Sequence, residues 1–299
     1  MKDILIKILV GIVVASVYLF SFHFEGYGYV RFYIFILAVI SICIFELFRM
    51  YQKDVTFKVM LPAFVLSFSW LTLIYALSLS IYYNIDSIPT GLLPVVSGLS
   101  TLDVVDIASM LPILAMFAIA YFVIFSEESK IQLNLGLTFV SFFYIAIPLS
   151  TVLLLRAMEQ GVFLLWFLSF AVAMSDTMGF VFGKLFGKHK VKWTLSPNKT
   201  WEGYIGGFFG QSLMVILFHY VASLLGDVPT LGYVQLIFIA GTIYFVSVLG
   251  DLSESRLKRA AGVKDSGTFL PGHGGFLDRV DSIIFAAPFF YFLLRYSSM

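Results

Sequence analysis

Long apolar runs separated by short polar breaks dominate this chain. Nine stretches of roughly 20 apolar residues stand out, at about 4–24, 31–48, 59–83, 106–125, 132–155, 162–182, 204–225, 232–250 and 282–298, each long enough to cross hydrocarbon as a helix. The runs are continuous rather than alternating, which argues against the strand pattern of a transmembrane barrel. Pro112 interrupts the fourth. The pattern predicts an all-α polytopic integral membrane protein of about nine transmembrane helices. No linker or internal repeat divides it, so 1–299 reads as a single membrane domain. Within it, about 1–160 forms a helical scaffold with few polar landmarks.

Composition agrees. The chain is 60% hydrophobic and 18% aromatic, with a mean hydropathy of +0.95, where soluble domains sit near 45–50% apolar. Nine spans place the termini on opposite sides. Of the 19 basic residues, all but Arg31, Arg156 and Arg295 fall at the N-terminus or in every second loop after it. The positive-inside rule then puts the N-terminus in the cytoplasm and the C-terminus outside, in the cell membrane. The first run is too long for a typical signal-peptide core and reads as a retained helix. Cys43 is the one cysteine, which excludes an intramolecular disulfide. A net charge of +1 gives no support to nucleic-acid binding.

Polar detail is uneven. Asn84–Asp106 carries Pro89, Gly91, Pro94 and Gly98 and suggests an outer loop or re-entrant piece. The spacings Gly179, Gly183, Gly187 and Gly203, Gly206, Gly207, Gly210 contain G-x-x-x-G. They fit close helix packing in lipid, or a backbone approaching phosphates, and both can hold together.

Charge concentrates in two expected cytoplasmic loops, about 183–203 and 251–281. Asp251 closes the eighth run, and Asp278 and Asp281 open the ninth. Three apart, the latter two share a face if the helix has begun. Carboxylates gathered at membrane depth call for compensation, either by a divalent cation such as Mg²⁺ or by ion pairs to Arg256, Arg259 and Arg279. Lys258, Arg259, Lys264 and Arg279 surround these acids, and Lys199 comes from the preceding loop. Mixed acids and bases on one face suit a nucleoside triphosphate, although a positive-inside loop also supplies lysine and arginine. His273, between Gly272 and Gly274-Gly275, sits in a turn whose N–H groups suit phosphate oxygens; it would bond a phosphate, relay a proton or brace the loop. In Ser196-Pro-Asn-Lys199-Thr200-Trp201-Glu202-Gly203, Thr200 or Ser196 caps the following helix, and Trp201 fits an interface belt or base stacking. Asp176, within the sixth run, is an acid in hydrocarbon and hence a functional candidate.

The run Ser255-x-Leu257-Lys258-Arg259, then Lys264-Asp265-x-Gly267, then Leu270-Pro271-x-His273-Gly274-Gly275-Phe276-x-Asp278-Arg279-Val280-Asp281 resembles the defining motif of phosphatidate cytidylyltransferases (CDP-diacylglycerol synthases). Ser196-Pro-x-Lys199-Thr200-x-Glu202-Gly203 and Asp176 look like the same family, with Asn198 where a further lysine is common. The resemblance covers about 170–285, the expected catalytic region. It implies Mg²⁺-dependent transfer of CMP from CTP to phosphatidic acid, giving CDP-diacylglycerol and pyrophosphate for phospholipid synthesis. It maps metal ligands onto Asp251, Asp278 and Asp281, leaves room for a second cation, and makes Lys258 essential. Lys258, Asp265, His273 and Arg279 are then the candidate catalytic residues. Asp176, Ser196, Lys199, Thr200, Glu202, Arg259, Lys264, Gly274 and Gly275 are the substrate-binding candidates. The expected partners are CTP, phosphatidic acid and the bilayer; oligomeric state is left open, a homodimer included. Rival readings are a CTP-dependent transferase acting on an archaeol phosphate or polyprenol, and an ion-coupled transporter. The gathering of charge at one rim, rather than toward the midplane, favours an enzyme.

Overall fold

The computed structural model describes residues 21, 28–52, 56–82, 128–191, 199–226, 228–270 and 274–297. The expected runs 4–24 (Ser21 apart) and 106–125, and the Asn84–Asp106 stretch, lie outside the described residues. Among the described residues there are seven long helical segments: α1 Gly28–Tyr51, α2 Phe57–Tyr82, α3 Ile131–Ala157, α4 Gly161–Phe186, α5 Trp201–Leu225, α6 Tyr233–Ala260 and α7 Leu277–Ser297. The first six are long and apolar enough to cross a membrane. Among the described residues there is no strand, only two isolated antiparallel bridges, Lys190 with Thr200 and Leu270 with Gly274. Hydrocarbon offers no partner for backbone N–H and C=O groups, so apolar runs of this length close their hydrogen bonds internally as helices.

The chain divides into two compact units, 1–159 with 266–277, and 160–265 with 278–299. In the first, α1, α2 and α3 pack together. Tyr29 donates to the Leu153 carbonyl at 2.9 Å, and the Trp70 indole donates to the Ser150 hydroxyl at 3.1 Å. Phe32, Ile40, Ile44, Leu47, Leu71 and Ile145 fill the interior. A π turn, Ser141–Ala146, widens α3 just before Pro148. Proline cannot donate to the carbonyl four residues back, and the wider turn lets the Ile147 amide reach the Phe142 carbonyl.

In the second unit, α4 and α5 approach closely. A Cβ on Gly203 would lie 3.0 Å from the Gly179 carbonyl oxygen and 3.1 Å from Gly183 Cα. One on Gly207 would meet Gly179 Cα at 2.9 Å and the Tyr244 hydroxyl at 2.7 Å. The close-packing reading of these glycines is therefore what the backbone does. The α6–α7 crossing uses the same device, since a Cβ on Gly250 would meet the Asp281 carbonyl oxygen at 2.6 Å. Phe167 of α4 stacks on Phe290 of α7 at 5.4 Å, and Ser282 donates to the Ser247 carbonyl at 3.2 Å. The opposite face of α5 exposes Ile205, Phe209, Leu213, Leu217 and Leu224, as a lipid-facing helix would.

One expectation needs correcting. The stretch 251–281 is not a loop throughout, because α6 runs on to Ala260 and α7 begins at Leu277. Glu254 and Lys258, four apart, pair along the helix and help it continue past the apolar run. It stops at Gly262, whose φ of 73° is left-handed; the Val263 amide returns to the Lys258 carbonyl and the Gly262 amide to the Arg259 carbonyl.

Candidate functional site

The polar residues of the second unit meet at a cavity of about 540 Å³. Asp176 reaches it from α4, Asp251 from α6, and Asp278, Arg279 and Asp281 from the first turns of α7, while Lys199 enters from the residues just before α5. Local structure explains the placement of Lys199 and of the α7 acids. The Val191 amide donates to the Lys199 carbonyl, and Lys190 bridges Thr200, which returns the chain to the start of α5. Thr200 caps that helix, its hydroxyl accepting from the Gly203 amide at 3.1 Å. Because α7 has begun by Leu277, Asp278 and Asp281 fall one helical turn apart. Gly179, Gly183 and Gly203 line the same cavity, so the helix-packing glycines also bare backbone to its contents.

Acids and bases interlock here. The Lys199 ammonium pairs with Asp251 and lies 5.6 Å from the centre of the Tyr204 ring. Burial opposes its charge, but the Asp251 carboxylate, by its charge and its hydrogen bond, more than offsets this and holds the lysine above its ordinary pKa. The Tyr244 hydroxyl donates to the Tyr204 carbonyl at 2.7 Å and braces this side. Lys258 Nζ lies 2.6 Å from Asp278 Oδ1 and also pairs with Glu254, whose side chain is fully buried. Asp281, buried, accepts from the Ser282 amide at 2.7 Å.

Other expected site residues sit differently. Glu202 does not line the cavity; it accepts from the His189 amide and contacts its ring Nδ1 at 2.5 Å. Arg259 is exposed and donates to the Val263 carbonyl at 3.1 Å, tying down the end of α6. Lys264 and Asp265 are exposed on the turn that follows. Gly274 has a φ of 86°, and its carbonyl accepts from the Leu270 amide at 3.1 Å. Gly275 lies against Ser266 and the Glu46 carboxylate. Ser196 and His273 lie outside the described residues.

Two acids escaped the sequence reading. Glu254 sits four residues before Lys258, a spacing that signals a helical ion pair once the helix is known to continue. Glu46 is the one acid in the run 31–48, and an acid in an apolar span was itself a signal.

The donor set suits a hard cation. Four carboxylates line one cavity, yet among the described residues no group of three His, Cys, Asp or Glu side chains forms a ready cage. Mg²⁺ is commonly held by one or two carboxylates, with water and substrate phosphates completing its shell, and so asks for no such cage.

Comparison with known proteins places the chain. The profile of the cytidylyltransferase family matches residues 5–297. The phosphatidate cytidylyltransferase of Bacillus subtilis is 32% identical over 295 residues, 98% of each chain. Other relatives match shorter segments at higher identity. The phosphatidate cytidylyltransferase of Haemophilus influenzae is 42% identical over 133 residues, 44% of this chain and 45% of its own. That of Staphylococcus aureus is 42% identical over 136 residues, 46% of this chain and 50% of its own. With a family match over nearly its whole length, this chain belongs to the cytidylyltransferase family.

Proposed function

We propose that this protein transfers CMP from CTP to phosphatidate, forming CDP-diacylglycerol and releasing pyrophosphate. The observation that carries the reading is the convergence of Asp176, Asp251, Asp278 and Asp281 with Lys199 and Arg279 on one cavity. A triphosphate brings several negative charges, and lysine and arginine in a partly desolvated cavity oppose them strongly. A phosphatidate oxygen attacks the α-phosphorus of CTP, a new P–O bond forms, and the bond to the bridging oxygen breaks as pyrophosphate leaves with the electron pair. The attacking phosphate monoester is already largely ionised near neutral pH, so no side chain has to take its proton. Lys199 and Arg279 orient the triphosphate and oppose charge developing on the leaving group. Lys258 does not line the cavity itself but pairs with Asp278, which does, and so holds that carboxylate in place. Asp251, Asp278 and Asp281 would hold Mg²⁺, which when bound neutralises phosphate charge and polarises the phosphorus centre.

The cavity then opens to the cytoplasm, where CTP is found. This rests on the distribution of basic residues: nine spans, N-terminus inside, C-terminus outside. Purified protein supplied with CTP, Mg²⁺ and phosphatidate should yield CDP-lipid and pyrophosphate in equal amounts, and Asp278→Asn should abolish both while remaining folded. Release of inorganic phosphate in place of pyrophosphate, or full activity in Asp278→Asn, would overturn the reading.

A further inference from the structure

Glu46 stands near the end of α1, 3% exposed, and its carboxylate is surrounded by donors from a segment more than 200 residues away. Oε1 accepts from the Phe276 amide at 2.9 Å, and Oε2 accepts from the Leu277 amide at 2.9 Å and from the Ser266 hydroxyl at 3.2 Å. Phe276 and Leu277 are the residues at which α7 begins, where helix amides lack partners of their own. A carboxylate there satisfies two of them and meets the positive end of the helix dipole.

The surrounding glycines are cut to the same shape. The three atoms nearest to a Cβ on Gly267 would all belong to Glu46, the closest at 2.5 Å. A Cβ on Gly275 would lie 1.9 Å from Ser266 Oγ, 2.6 Å from the Gly267 amide nitrogen and 2.7 Å from Glu46 Oε2. Glu46 thus occupies the space beside Gly267, and Ser266, the Gly267 backbone and Glu46 together leave none beside Gly275. Its carboxylate gathers both ends of the 266–277 segment, and the chain runs from Leu277 straight into Asp278, Arg279 and Asp281.

We propose that Glu46 is a positioning residue for cytidylyl transfer: by capping the first amides of α7 and clamping Ser266, it sets the direction in which Asp278, Arg279 and Asp281 are presented. The inference rests on the activity proposed above. Glu46 itself meets no substrate, and its effect reaches the chemistry through the start of α7.

Glu46→Gln keeps the shape but replaces one accepting oxygen with a donor that faces another donor. Its kcat should fall at least about tenfold, with KM for phosphatidate within about twofold, since the loss is one of alignment rather than lipid binding. Its unfolding midpoint should stay within a few degrees of wild type. A kcat within about twofold of wild type would overturn the proposal, as would a lowered midpoint with kcat of the folded protein intact. Steric coupling supplies a readout independent of turnover. Gly267→Ala should lower the unfolding midpoint of the wild type but cost nothing more in a Glu46→Ala background, because the added methyl then fills vacated space. Equal cost in both backgrounds would overturn the clamp. Should the wild type yield no CDP-lipid, the proposed function falls, and this cycle alone decides the fate of the Glu46 clamp.

Discussion

Lys258 can be tested for structure and chemistry separately. Its ammonium lies between Asp278, at 2.6 Å, and Glu254, with its own side chain 13% exposed and those of the acids 10% and 0% exposed. Lys258→Met keeps much of the side chain's length but strands two neighbouring carboxylates. Breaking a buried pair in this way costs about 3–5 kcal/mol. We place the loss near the lower bound, about 3 kcal/mol, because Asp278 also lines the cavity. At about 2–4 °C per kcal/mol for a chain of this order of size, the unfolding midpoint should drop by roughly 6–12 °C. Glu254→Gln in the same chain removes one stranded charge and leaves an amide that can hydrogen-bond Asp278. The double variant should therefore recover at least half of the lost midpoint. Turnover should stay at least about a hundredfold down, the cost of removing one well-placed positive donor from a site of charge development. The assay is CDP-lipid formation at saturating CTP, read beside thermal unfolding of the same detergent-solubilised samples. Recovery of turnover together with stability would refute the reasoning, since Lys258 would then act only by neutralising Glu254.

Three further outcomes follow from the geometry. Lys199 has its pKa held above the ordinary lysine value of about 10.4, so the stabilisation from its pairing with Asp251 is fully present below about pH 10 and is lost as pH rises through the higher folded value. Asp251→Asn should lower the unfolding midpoint at pH 8 and abolish that alkaline step in a titration carried above the ordinary lysine range; an unaltered step would assign it to another group. Gly207→Ala should cost about 1–3 kcal/mol by forcing α4 and Tyr244 away from α5, and an unchanged unfolding midpoint would show that the helices can part freely. In a Cys43→Ala background, a cysteine at Thr230 should react with an impermeant reagent added outside the cell and one at Lys188 should not; the reverse pattern would overturn both the orientation and cytoplasmic access to the cavity.

The sequence alone determined that this chain is helical and membrane-spanning, because solvation in hydrocarbon depends on run length and composition and needs no knowledge of neighbours. It also singled out Asp176, Lys199, Asp251, Asp278, Arg279 and Asp281, which line one cavity, because charge is costly in a bilayer and its few occurrences stand out. Tertiary structure decided which charges meet. Lys199 and Asp251 are 52 residues apart in sequence yet pair, while Arg259, close to the acids in sequence, turns away to bond the Val263 carbonyl. Glu202 belonged to a matching motif, but its place at the start of α5 directs it to His189 rather than the cavity. The end of α6 could not be read from hydropathy, because an ion pair four residues apart and a left-handed glycine, not the end of the apolar run, set it. Glu46 shows the difference most plainly. An acid in an apolar helix announces that a partner exists, but only the folded chain brings the Ser266 hydroxyl and the Phe276 and Leu277 amides to its carboxylate, since hydrogen bonds act over ångströms and ignore the 220 to 231 residues between.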